Sequence, residues 1–499
     1  MERQVYLGVD VGAESGRVMA GLWDGRRMDL AEVARFANGP VEIGGTLRWD
    51  PLRLWAEIRA GLAQASSRFG SAVASVGVDT WALDYVLMSR SGEMLGLPFC
   101  YRDPSHRAAF HAASARVPRA EVFGRSGVQF MPINTLYQWI ARHGRSPEVF
   151  AAAERFLMMP DWLNWCLCGS DTVEFTNATT TQFLDPVARR WSTELLERFG
   201  LPTHLLPGLV EPGTRLGPLR AEVAASTGLG RVPVVAPATH DTGSAVVGVP
   251  SERTGHRDWA YISSGTWSLV GYESAAPELS ARALALNATN EGGVDGTWRV
   301  LKNVMGLWLV QRCRASFASH GGTPDYGALV AMAEGSPGLR SLVDPDDERF
   351  LNPPDMPSAI QDYCVGTRQP VPATEAELVR CALDSLALKY ASVLGQLEEL
   401  AGTRFVVVHI VGGGARNGLL NQATADATGR PVLAGPTEAT ALGNLVWQAR
   451  ALGELDSLVG AREVVRSSSE VVRFEPRHDV AGRWAEARER FASLCGPRA

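Results

Sequence analysis

The sequence predicts an α/β fold made of two domains. At 499 residues the chain exceeds the size at which a single hydrophobic core is usual. Short apolar runs that end in polar turns alternate with amphipathic stretches of helical period, which is typical of α/β proteins. A strand–turn–strand pattern also occurs twice, at 5–22 and at 259–273, which indicates an internal duplication. We therefore expect one domain over residues 1–247 and a second over residues 248–499.

The bulk composition excludes several classes of protein. With 54 acidic side chains against 48 lysines and arginines, the chain carries a formal net charge of -6, which argues against a nucleic acid or a membrane surface as partner. The first residues contain no apolar leader core, and no stretch reaches the roughly 18 uninterrupted apolar residues of a membrane span. We therefore expect a cytoplasmic protein, a monomer or homodimer, that acts on small molecules.

The cysteines do not indicate a metal site. Their seven positions are scattered and match neither a zinc pattern nor a disulfide framework. Cys364 and Cys381 are the pair that could form a bridge across a loop, although a reducing compartment disfavours one. We expect most of the cysteines to be buried thiols.

Residues 234–244, V-V-A-P-A-T-H-D-T-G-S, predict a buried strand that delivers a carboxylate to the edge of a sheet. Asp241 falls where the chain leaves the strand and a helix of small residues begins. Open α/β sheets bind ligands at this edge. Asp241, flanked by His240 and Thr242, could there accept a proton from a substrate hydroxyl. The alternative is that Asp241 serves only as the N-cap of the helix.

A Gly/Ser turn follows the first apolar run of the chain. Residues 5–10 read V-Y-L-G-V-D, and residues 12–17 separate them from a second apolar run at 18–22. The backbone N–H groups of such a turn converge on a concavity that suits a phosphate. A carboxylate at the strand end, here Asp10, suits Mg²⁺. The alternative is an ordinary β-turn between two strands.

Two further stretches are candidates for a binding site. Residues 75–79 form a second strand that ends in Asp79, and strand character resumes after Trp81, so we expect the strand–Asp–turn–strand arrangement again. Amides and aromatic rings are frequent at 127–139. That composition suits a sugar, whose C–H groups stack on rings and whose hydroxyls bond amides, but it equally suits a core.

The late part of the chain predicts a nucleotide site. A long amphipathic helix at 378–400 precedes a buried strand at 405–411, which runs into Gly412-Gly413-Gly414. Three consecutive glycines leave room for a flat ligand such as an adenine ring, whereas a tight strand-to-helix turn is the alternative. Together these features favour phosphoryl transfer. The chain lacks the P-loop motif and the complete protein-kinase set, so we expect another ATP-binding fold.

Five ordered motifs resemble those of the FGGY carbohydrate kinase family, whose members phosphorylate glycerol, xylulose, fuculose and rhamnulose. The motifs are D-V-G-A-E-S-G-R at 10–17, T-H-D-T at 239–242, S-S-G-T-W-S at 263–268, V-L-K-N at 300–303 and G-G-G-A-R-N at 412–417. The resemblance runs from about residue 5 to about residue 476, and it is closest to the members that act on rhamnulose.

The resemblance implies two ribonuclease-H-like (actin-like ATPase) domains, with ATP and the sugar in the cleft between them. It implies that Asp241 is the general base that takes the proton from the C1 hydroxyl of L-rhamnulose, that Asp10 lies near Mg²⁺ and that ATP is the co-substrate. The implied sugar contacts are Ala82, His240, Asp241, Thr242 and Asn303. The implied ATP contacts are Ala13, Glu14, Ser15, Gly16, Arg17, Thr266, Gln311 and Gly413.

Two positions depart from the family pattern. Glu14 brings a charge to a phosphate loop where relatives have a small polar residue, and Ala82 stands where relatives often have glycine. The alternative functions are a kinase for another ketose such as L-fuculose or xylulose, a non-catalytic sugar-binding regulator on the same fold, and an actin-like ATPase. The presence of Asp10 and Asp241 argues against the regulator.

Overall fold

The computed structural model describes residues 4–321 and 325–495. Its strands are β1 (Gln4–Val11), β2 (Ser15–Trp23), β3 (Met28–Ala37), β4 (Val41–Ile43), β5 (Thr46–Arg48), β6 (Val73–Thr80), β7 (Tyr85–Met88), β8 (Arg155–Met158), β9 (Val173–Glu174), β10 (Leu184–Asp185), β11 (Arg190–Trp191), β12 (Leu209–Val210), β13 (Thr214–Pro218), β14 (Pro233–Ala236), β15 (Trp259–Ser264), β16 (Trp267–Ser274), β17 (Thr289–Gly292), β18 (Trp298–Met305), β19 (Val407–Val411), β20 (Val432–Ala434) and β21 (Val472–Phe474). Its helices are α1 (Pro51–Phe69), α2 (His106–Arg116), α3 (Arg119–Ser126), α4 (Thr135–Arg145), α5 (Pro147–Ala152), α6 (Met159–Cys168), α7 (Phe175–Ala178), α8 (Thr193–Arg198), α9 (Ala221–Thr227), α10 (Asp241–Val247), α11 (Ala281–Ala285), α12 (Trp308–Ser319), α13 (Tyr326–Glu334), α14 (Met356–Gly366), α15 (Glu375–Ala401), α16 (Gly418–Thr428), α17 (Ala439–Leu452), α18 (Leu458–Ser468) and α19 (Ala481–Leu494).

The chain divides into two compact units, each assembled from three separate segments. Unit 1 takes the described residues of Met1–Gly255, Glu273–Val300 and Ala439–Ser469. Unit 2 takes the described residues of His256–Tyr272, Leu301–Glu438 and Glu470–Ala499. The expected division of the sequence into domains after residue 247 stays a prediction.

Unit 1 is organised around a six-stranded sheet with the order β13-β14-β6-β1-β2-β3. β1, β6 and β14 are parallel to one another, whereas β2, β3 and β13 run antiparallel to their neighbours. Asp10 lies opposite Asp79 in the register of β1 and β6. Because parallel strands end at the same edge of a sheet, the residues that follow β1, β6 and β14 lie together.

Local sequence explains helix α1, which packs on β2 and β3 of this sheet. It begins after Asp50, whose side chain accepts a hydrogen bond from the Arg53 N–H, and Pro51 occupies its first turn. Its buried face repeats at helical period and includes Leu54, Ile58 and Leu62. The cap, the proline and this apolar period together account for the helix.

Helix α17 packs against the same sheet with polar as well as apolar side chains. Its apolar face joins a buried cluster with side chains of β1 and β2. The Gln448 amide donates to the Leu7 carbonyl at 3.0 Å and accepts from Ser75 Oγ at 2.6 Å. Gly77 permits this close approach, since a Cβ there would lie 2.7 Å from Gln448 Nε2. Buried amides therefore connect the helix to the sheet.

Unit 2 contains the second hairpin predicted from the sequence. Its strands follow the order β18-β16-β15-β19-β20-β21. β15 pairs antiparallel with β16, with Ser264 opposite Ser268, and parallel with β19, with Ser263 opposite Val411. The turn after β15 and the glycine run after β19 therefore lie at the same edge of this sheet.

Most predicted elements are found where the sequence places them, and one expectation is wrong. Both hairpins, the helix at 378–400 within α15 and the strand at 405–411 around β19 are confirmed. The strand that follows Asp79 does not pair back onto β6. Instead β7 pairs antiparallel with β8, with Tyr85 opposite Met158. The residues between β6 and β7 therefore form a loop rather than a hairpin turn, and buried side chains fix its conformation.

Two sequence expectations concern properties other than secondary structure. Within the described part of the chain, no helix combines the length and the apolar character that crossing a bilayer requires. Cys364 and Cys381 are free, buried thiols.

Candidate active site

Three aspartates lie at or just beyond the carboxyl ends of three neighbouring parallel strands of unit 1. Asp10 is near the end of β1, and Asp79 is opposite it on β6. The next residue, Thr80, bridges in parallel to His240, and the Thr80 N–H donates to the Thr239 carbonyl at 2.9 Å. Asp241 therefore comes directly after the residue that extends β14 along the sheet. We refer to Asp10, Asp79 and Asp241 as the carboxylate cluster.

The three carboxylates have different surroundings. Asp10 Oδ2 accepts from Arg17 Nη2 at 2.6 Å in a largely buried ion pair. Asp79 is completely buried, and its Oδ2 accepts from Asn444 Nδ2 at 2.5 Å. Burial, reinforced by the charge of Asp10, raises the pKa of Asp79 well above its ordinary value. The cluster thus joins one ion-paired aspartate to one that is completely buried.

Asp241 is the most accessible member of the cluster, with 30% of its side chain exposed. Burial of the remainder raises its pKa, with Asp10 adding to the effect, while His240 and two hydrogen bonds from Thr242 oppose it. Those bonds reach Asp241 Oδ1 from the Thr242 N–H at 2.5 Å and from its hydroxyl at 3.2 Å. Asp241 is the first residue of α10, and His240 is the N-cap. The alternative interpretation of Asp241 as the N-cap is therefore wrong.

A buried Arg–Glu pair contacts His240 on the side away from Asp241. His240 Nε2 lies 3.4 Å from Asp241 Oδ1. His240 Nδ1 lies 3.1 Å from Arg299 Nη2 and 3.3 Å from Glu291 Oε2. The Arg299 side chain is completely buried and pairs with Glu291 at 3.2 Å. These contacts orient the imidazole toward Asp241.

The backbone that carries His240 is held by a second buried acid. Glu174 Oε2 accepts hydrogen bonds from the Thr239 N–H at 2.9 Å and from the Thr239 hydroxyl at 2.7 Å. The Thr176 hydroxyl also donates to Glu174 and accepts from the His240 N–H at 3.2 Å. Glu174 thereby fixes the approach of the chain to Asp241.

The predicted phosphate loop is the turn of the β1–β2 hairpin. The Gly12 N–H donates to the Ser15 carbonyl at 2.8 Å, and the Asn38 amide donates to the Gly12 carbonyl at 2.8 Å. A Cβ on Gly16 would overlap the Phe36 ring. The side chain of Glu14 is exposed, so its charge is solvated.

The predicted sugar contact Ala82 lies in the loop after β6, next to a buried aromatic pair. Asp84 accepts from the indole N–H groups of Trp49 at 2.5 Å and Trp81 at 2.9 Å, and from Gln138 Nε2 at 2.9 Å. The two indole rings lie 4.3 Å apart. Burial raises the pKa of Asp84 to about 7, although these hydrogen bonds oppose the shift.

The loop before Asp84 is also fixed by its backbone. Leu83 has a φ of 77°, a left-handed conformation that is uncommon for a leucine. The Thr135 hydroxyl donates to the Leu83 carbonyl at 2.6 Å. The Trp81 N–H donates to the Val11 carbonyl at 3.2 Å, which ties the loop to the end of β1. Ala82 is thus held close to the carboxylate cluster.

The remaining predicted contacts belong to unit 2. Thr266 lies in the turn between β15 and β16, and its hydroxyl accepts from Gln311 Nε2 at 3.3 Å. Gly413 is exposed at the start of a 3₁₀ turn, Gly413–Arg416, that follows β19. Asn303 lies on β18, shortly before Gly306, whose N–H donates to the Thr266 carbonyl at 3.2 Å. Unit 2 therefore gathers Thr266, Gln311 and Gly413 around one sheet edge.

Sequence reasoning missed several residues that support the site. Asp79 was recognised as a strand end but not as a partner of Asp10, because the pairing of β1 with β6 cannot be read from either strand alone. Asn444, on α17, was also missed, although an amide within an otherwise apolar helix is a usable signal. No sequence signal indicated Arg299 or Glu174, whose partners are distant in the chain.

The carboxylate cluster fits a magnesium ion that accompanies a nucleotide. Within residues 4–321 and 325–495, no group of three or more His, Cys, Asp or Glu side chains is arranged to hold a metal ion. A Mg²⁺ that binds together with a nucleotide does not need such a group, since one or two carboxylates, water and the phosphates complete its shell. Asp79 Oδ1 is buried and has no hydrogen-bond partner among the described residues. Together with Asp10 it can supply the oxygens required.

The fold and the strand-edge carboxylates define a class, the carbohydrate kinases built on ribonuclease-H-like (actin-like) ATPase domains. The family model for the FGGY family of carbohydrate kinases, N-terminal domain, matches residues 5–248, and that for the C-terminal domain matches residues 260–452. The chain therefore belongs to the FGGY family of carbohydrate kinases, and ATP is its co-substrate.

Individual relatives refine this assignment. The chain is 43% identical to a rhamnulokinase of Bacteroides thetaiotaomicron over 96% of its length and 97% of the relative. It is also 43% identical to a rhamnulokinase of Pectobacterium atrosepticum over 98% of its length and 96% of the relative. Among solved structures, gluconate kinase from Lactobacillus acidophilus matches 99% of the chain and 97% of its own, with a TM-score of 0.80 at 15% identity. Plasmodium falciparum glycerol kinase with ADP matches 100% and 99%, with a TM-score of 0.78 at 14% identity. At such identities the structures establish the fold alone.

Proposed function

We propose that the protein transfers the γ-phosphoryl group of ATP to the C1 hydroxyl of L-rhamnulose, giving L-rhamnulose 1-phosphate and ADP. The observation that carries this proposal is the placement of Asp241 at the strand edge, partly exposed and flanked by His240 and Thr242. The names of the two 43% identical relatives, which align over nearly their whole length, support the choice of sugar.

Asp241 acts as the general base in this reaction. As the C1 oxygen attacks the γ-phosphorus, the hydroxyl proton passes to a carboxylate oxygen of Asp241. Thr242 occupies Oδ1 with two hydrogen bonds, which leaves Oδ2 to take the proton. The sugar is held by His240, Thr242, Asn303 and the backbone at Ala82. Orientation of the acceptor hydroxyl is the main contribution of these contacts.

ATP is held by the β1–β2 turn, residues 13–17, and by Thr266, Gln311 and Gly413. The backbone N–H groups of the turn suit the phosphates, and the exposed glycine run suits the adenine ring. A bound Mg²⁺ would be held by Asp10 and Asp79 and would neutralise charge on the phosphates. We further propose that the protein is cytoplasmic, as a monomer or homodimer.

A coupled ADP-release assay over a panel of ketoses tests the proposal. We expect turnover that depends on sugar, with kcat/KM highest for L-rhamnulose among L-rhamnulose, L-fuculose, D-xylulose and glycerol. Asp241→Asn should lower kcat by about 10²–10⁴-fold, the usual contribution of a general base, with little change in sugar binding by calorimetry. A higher kcat/KM for another ketose would identify that ketose as the substrate and would not contradict the role of Asp241 as general base. Normal turnover of Asp241→Asn would instead exclude Asp241 from the mechanism.

A further inference from the structure

His240 lies between Asp241 and the buried pair of Arg299 and Glu291. Its side chain is 6% exposed, and its two ring nitrogens face different groups. Nε2 lies 3.4 Å from Asp241 Oδ1, whereas Nδ1 lies 3.1 Å from Nη2 of the Arg299 guanidinium. The position of the imidazole proton therefore decides which hydrogen bond His240 offers at the site.

Arg299 favours one position of that proton. A guanidinium has donors and no acceptor, so a hydrogen bond between Arg299 Nη2 and His240 Nδ1 requires that Nδ1 accepts. A neutral imidazole that accepts at Nδ1 carries its proton on Nε2. The nearby Glu291 Oε2 contacts Nδ1 at 3.3 Å, but it also lies 3.2 Å from Arg299 Nη1, which engages its negative charge.

We propose that Arg299 is a positioning residue that holds the His240 proton on Nε2, where it faces Asp241 and the acceptor hydroxyl. This inference rests on the proposed role of Asp241 as general base. Arg299 touches neither reacting atom, and it acts only through His240. The Nε2–H then orients the Asp241 carboxylate, or the hydroxyl bound between them, for proton transfer.

The geometry explains why the position holds an arginine. Its Nε donates to the Gly292 carbonyl at 2.9 Å, its Nη1 pairs with Glu291 and its Nη2 reaches His240. The planar guanidinium thus combines two hydrogen bonds, from Nε and Nη2, with an ion pair at Nη1, whereas a lysine ammonium lacks that geometry. Glu291 has a different role, since it neutralises a guanidinium that is completely buried.

Four variants separate these roles. In Arg299→Met, Nδ1 loses its donor and is left beside Glu291, so we expect the proton to move to Nδ1 and kcat to fall about tenfold to a hundredfold with a smaller change in the sugar KM. Arg299→Lys should restore part of the lost kcat. Glu291→Gln keeps the Arg299 donor, so it should keep the Nε2 proton although it destabilises the fold. Arg462→Met is the matched control, because Arg462 is equally buried and pairs with Glu273 at 2.8 Å elsewhere in unit 1.

The decisive measurement is the tautomer itself. Two-bond ¹H–¹⁵N correlation spectra of the full-length protein with ¹⁵N-labelled histidine, assigned with His240→Gln, report which ring nitrogen carries the proton. We expect an Nε2–H imidazole in the wild type, Glu291→Gln and Arg462→Met, and a changed pattern in Arg299→Met. A wild-type Nδ1–H tautomer or an imidazolium would overturn the inference, even if Arg299→Met failed to fold. Normal turnover in Asp241→Asn would refute the base instead and would leave the tautomer result standing.

Discussion

Asp10 and Asp79 occupy opposite positions in the parallel register of β1 and β6, and the carboxyl of Asp79 is completely buried. Burial and the charge of Asp10 both disfavour the ionised form of Asp79, which is why its pKa is raised. Asn444 opposes the shift through its hydrogen bond to Oδ2. The pair therefore places two carboxyl groups at one sheet edge, at a cost to the stability of the fold.

Replacing Asp79 by asparagine should make the protein more stable at alkaline pH. Because the pKa of Asp79 is higher in the folded state than in the unfolded state, the folded protein holds the additional proton, and the free energy of unfolding falls as pH rises from about 4 toward the folded pKa. Asp79→Asn removes this dependence. Denaturant titrations should show an advantage over the wild type that is larger at pH 8 than at pH 5. An advantage independent of pH would contradict this explanation.

Asp79→Asn should also raise the Mg²⁺ concentration that turnover requires. If Asp79 helps Asp10 to hold the ion, Asp79→Asn requires more Mg²⁺ for half-maximal turnover, while the Asp10–Arg17 ion pair remains. An unchanged Mg²⁺ dependence would exclude Asp79 from the metal site without affecting the stability result.

The carboxylate cluster also shows what sequence could and could not predict. The hairpin turn at 12–17 and the strand-to-helix transition at Asp241 are local, so periodicity, glycines and small residues were sufficient to place them. The neighbours of these residues depend on long-range pairing. Asn444 reaches Asp79 across 365 positions of sequence, and β7 pairs with β8 rather than with β6, relationships that no local pattern encodes. The resemblance to a family supplied functional roles, but it did not supply the buried groups that support them.

Two adjacent glycines offer a direct test of the nucleotide site. A Cβ on Gly414 would overlap Ser264, whereas a Cβ on Gly413 would meet no atom within 4 Å. Gly414→Ala should therefore lower the free energy of unfolding by about 1–3 kcal/mol, the usual effect of overpacking. Gly413→Ala should leave stability within about 0.5 kcal/mol of the wild type, but it should raise the KM for ATP, because its methyl occupies space proposed for the adenine ring.

Thermal melts and ATP titrations of both variants check this contrast. Gly482→Ala, on the exposed surface of α19 in unit 2, also has no atom within 4 Å of the added methyl and serves as the control. An ATP KM unchanged in Gly413→Ala would place the nucleotide elsewhere.

The two lysines of the chain should differ sharply in reactivity. Lys302 donates to Gln396 at 2.9 Å, and burial, with the neighbouring charge of Lys389, lowers its pKa to about 8. For Lys389 burial acts in the same direction, but Asp346 and Asp344 lie 2.8 and 2.9 Å away and raise its pKa above the ordinary value. At pH 8 a large part of Lys302 is neutral and nucleophilic, whereas Lys389 remains an ammonium.

Limited acetylation followed by peptide mapping measures this difference. We expect Lys302 to be modified at least tenfold faster than Lys389 at pH 8, and its rate to fall about tenfold between pH 8 and pH 6.5. Lys389→Met removes a like charge and should slow the modification of Lys302 at pH 8. Equal rates at the two lysines would contradict the assigned charge states.

The protonation state of Asp84 should make the loop between β6 and β7, which carries the predicted sugar contact Ala82, sensitive to pH. The carboxylate accepts hydrogen bonds from Trp49, Trp81, Gln138 and the Tyr101 N–H. All four groups are donors, so the site is matched to an acceptor without a proton. Burial nevertheless raises the pKa of Asp84 to about 7. Below that pH the carboxyl gains a proton that faces another donor, and the contacts of the indole rings weaken.

We therefore expect the tryptophan emission of the wild type to titrate with a midpoint near pH 7, and the sugar KM to rise as pH falls below it. Asp84→Asn places an amide N–H₂ among donors, so the free energy of unfolding should fall by about 2–4 kcal/mol and the emission titration should disappear. The control is Asp171→Asn, an exposed carboxylate of unit 1 that should change stability by less than about 0.5 kcal/mol. Subtracting the spectrum of Trp81→Phe assigns the signal. A pH-independent difference spectrum would show that Asp84 keeps one protonation state across this range and that the loop is insensitive to pH.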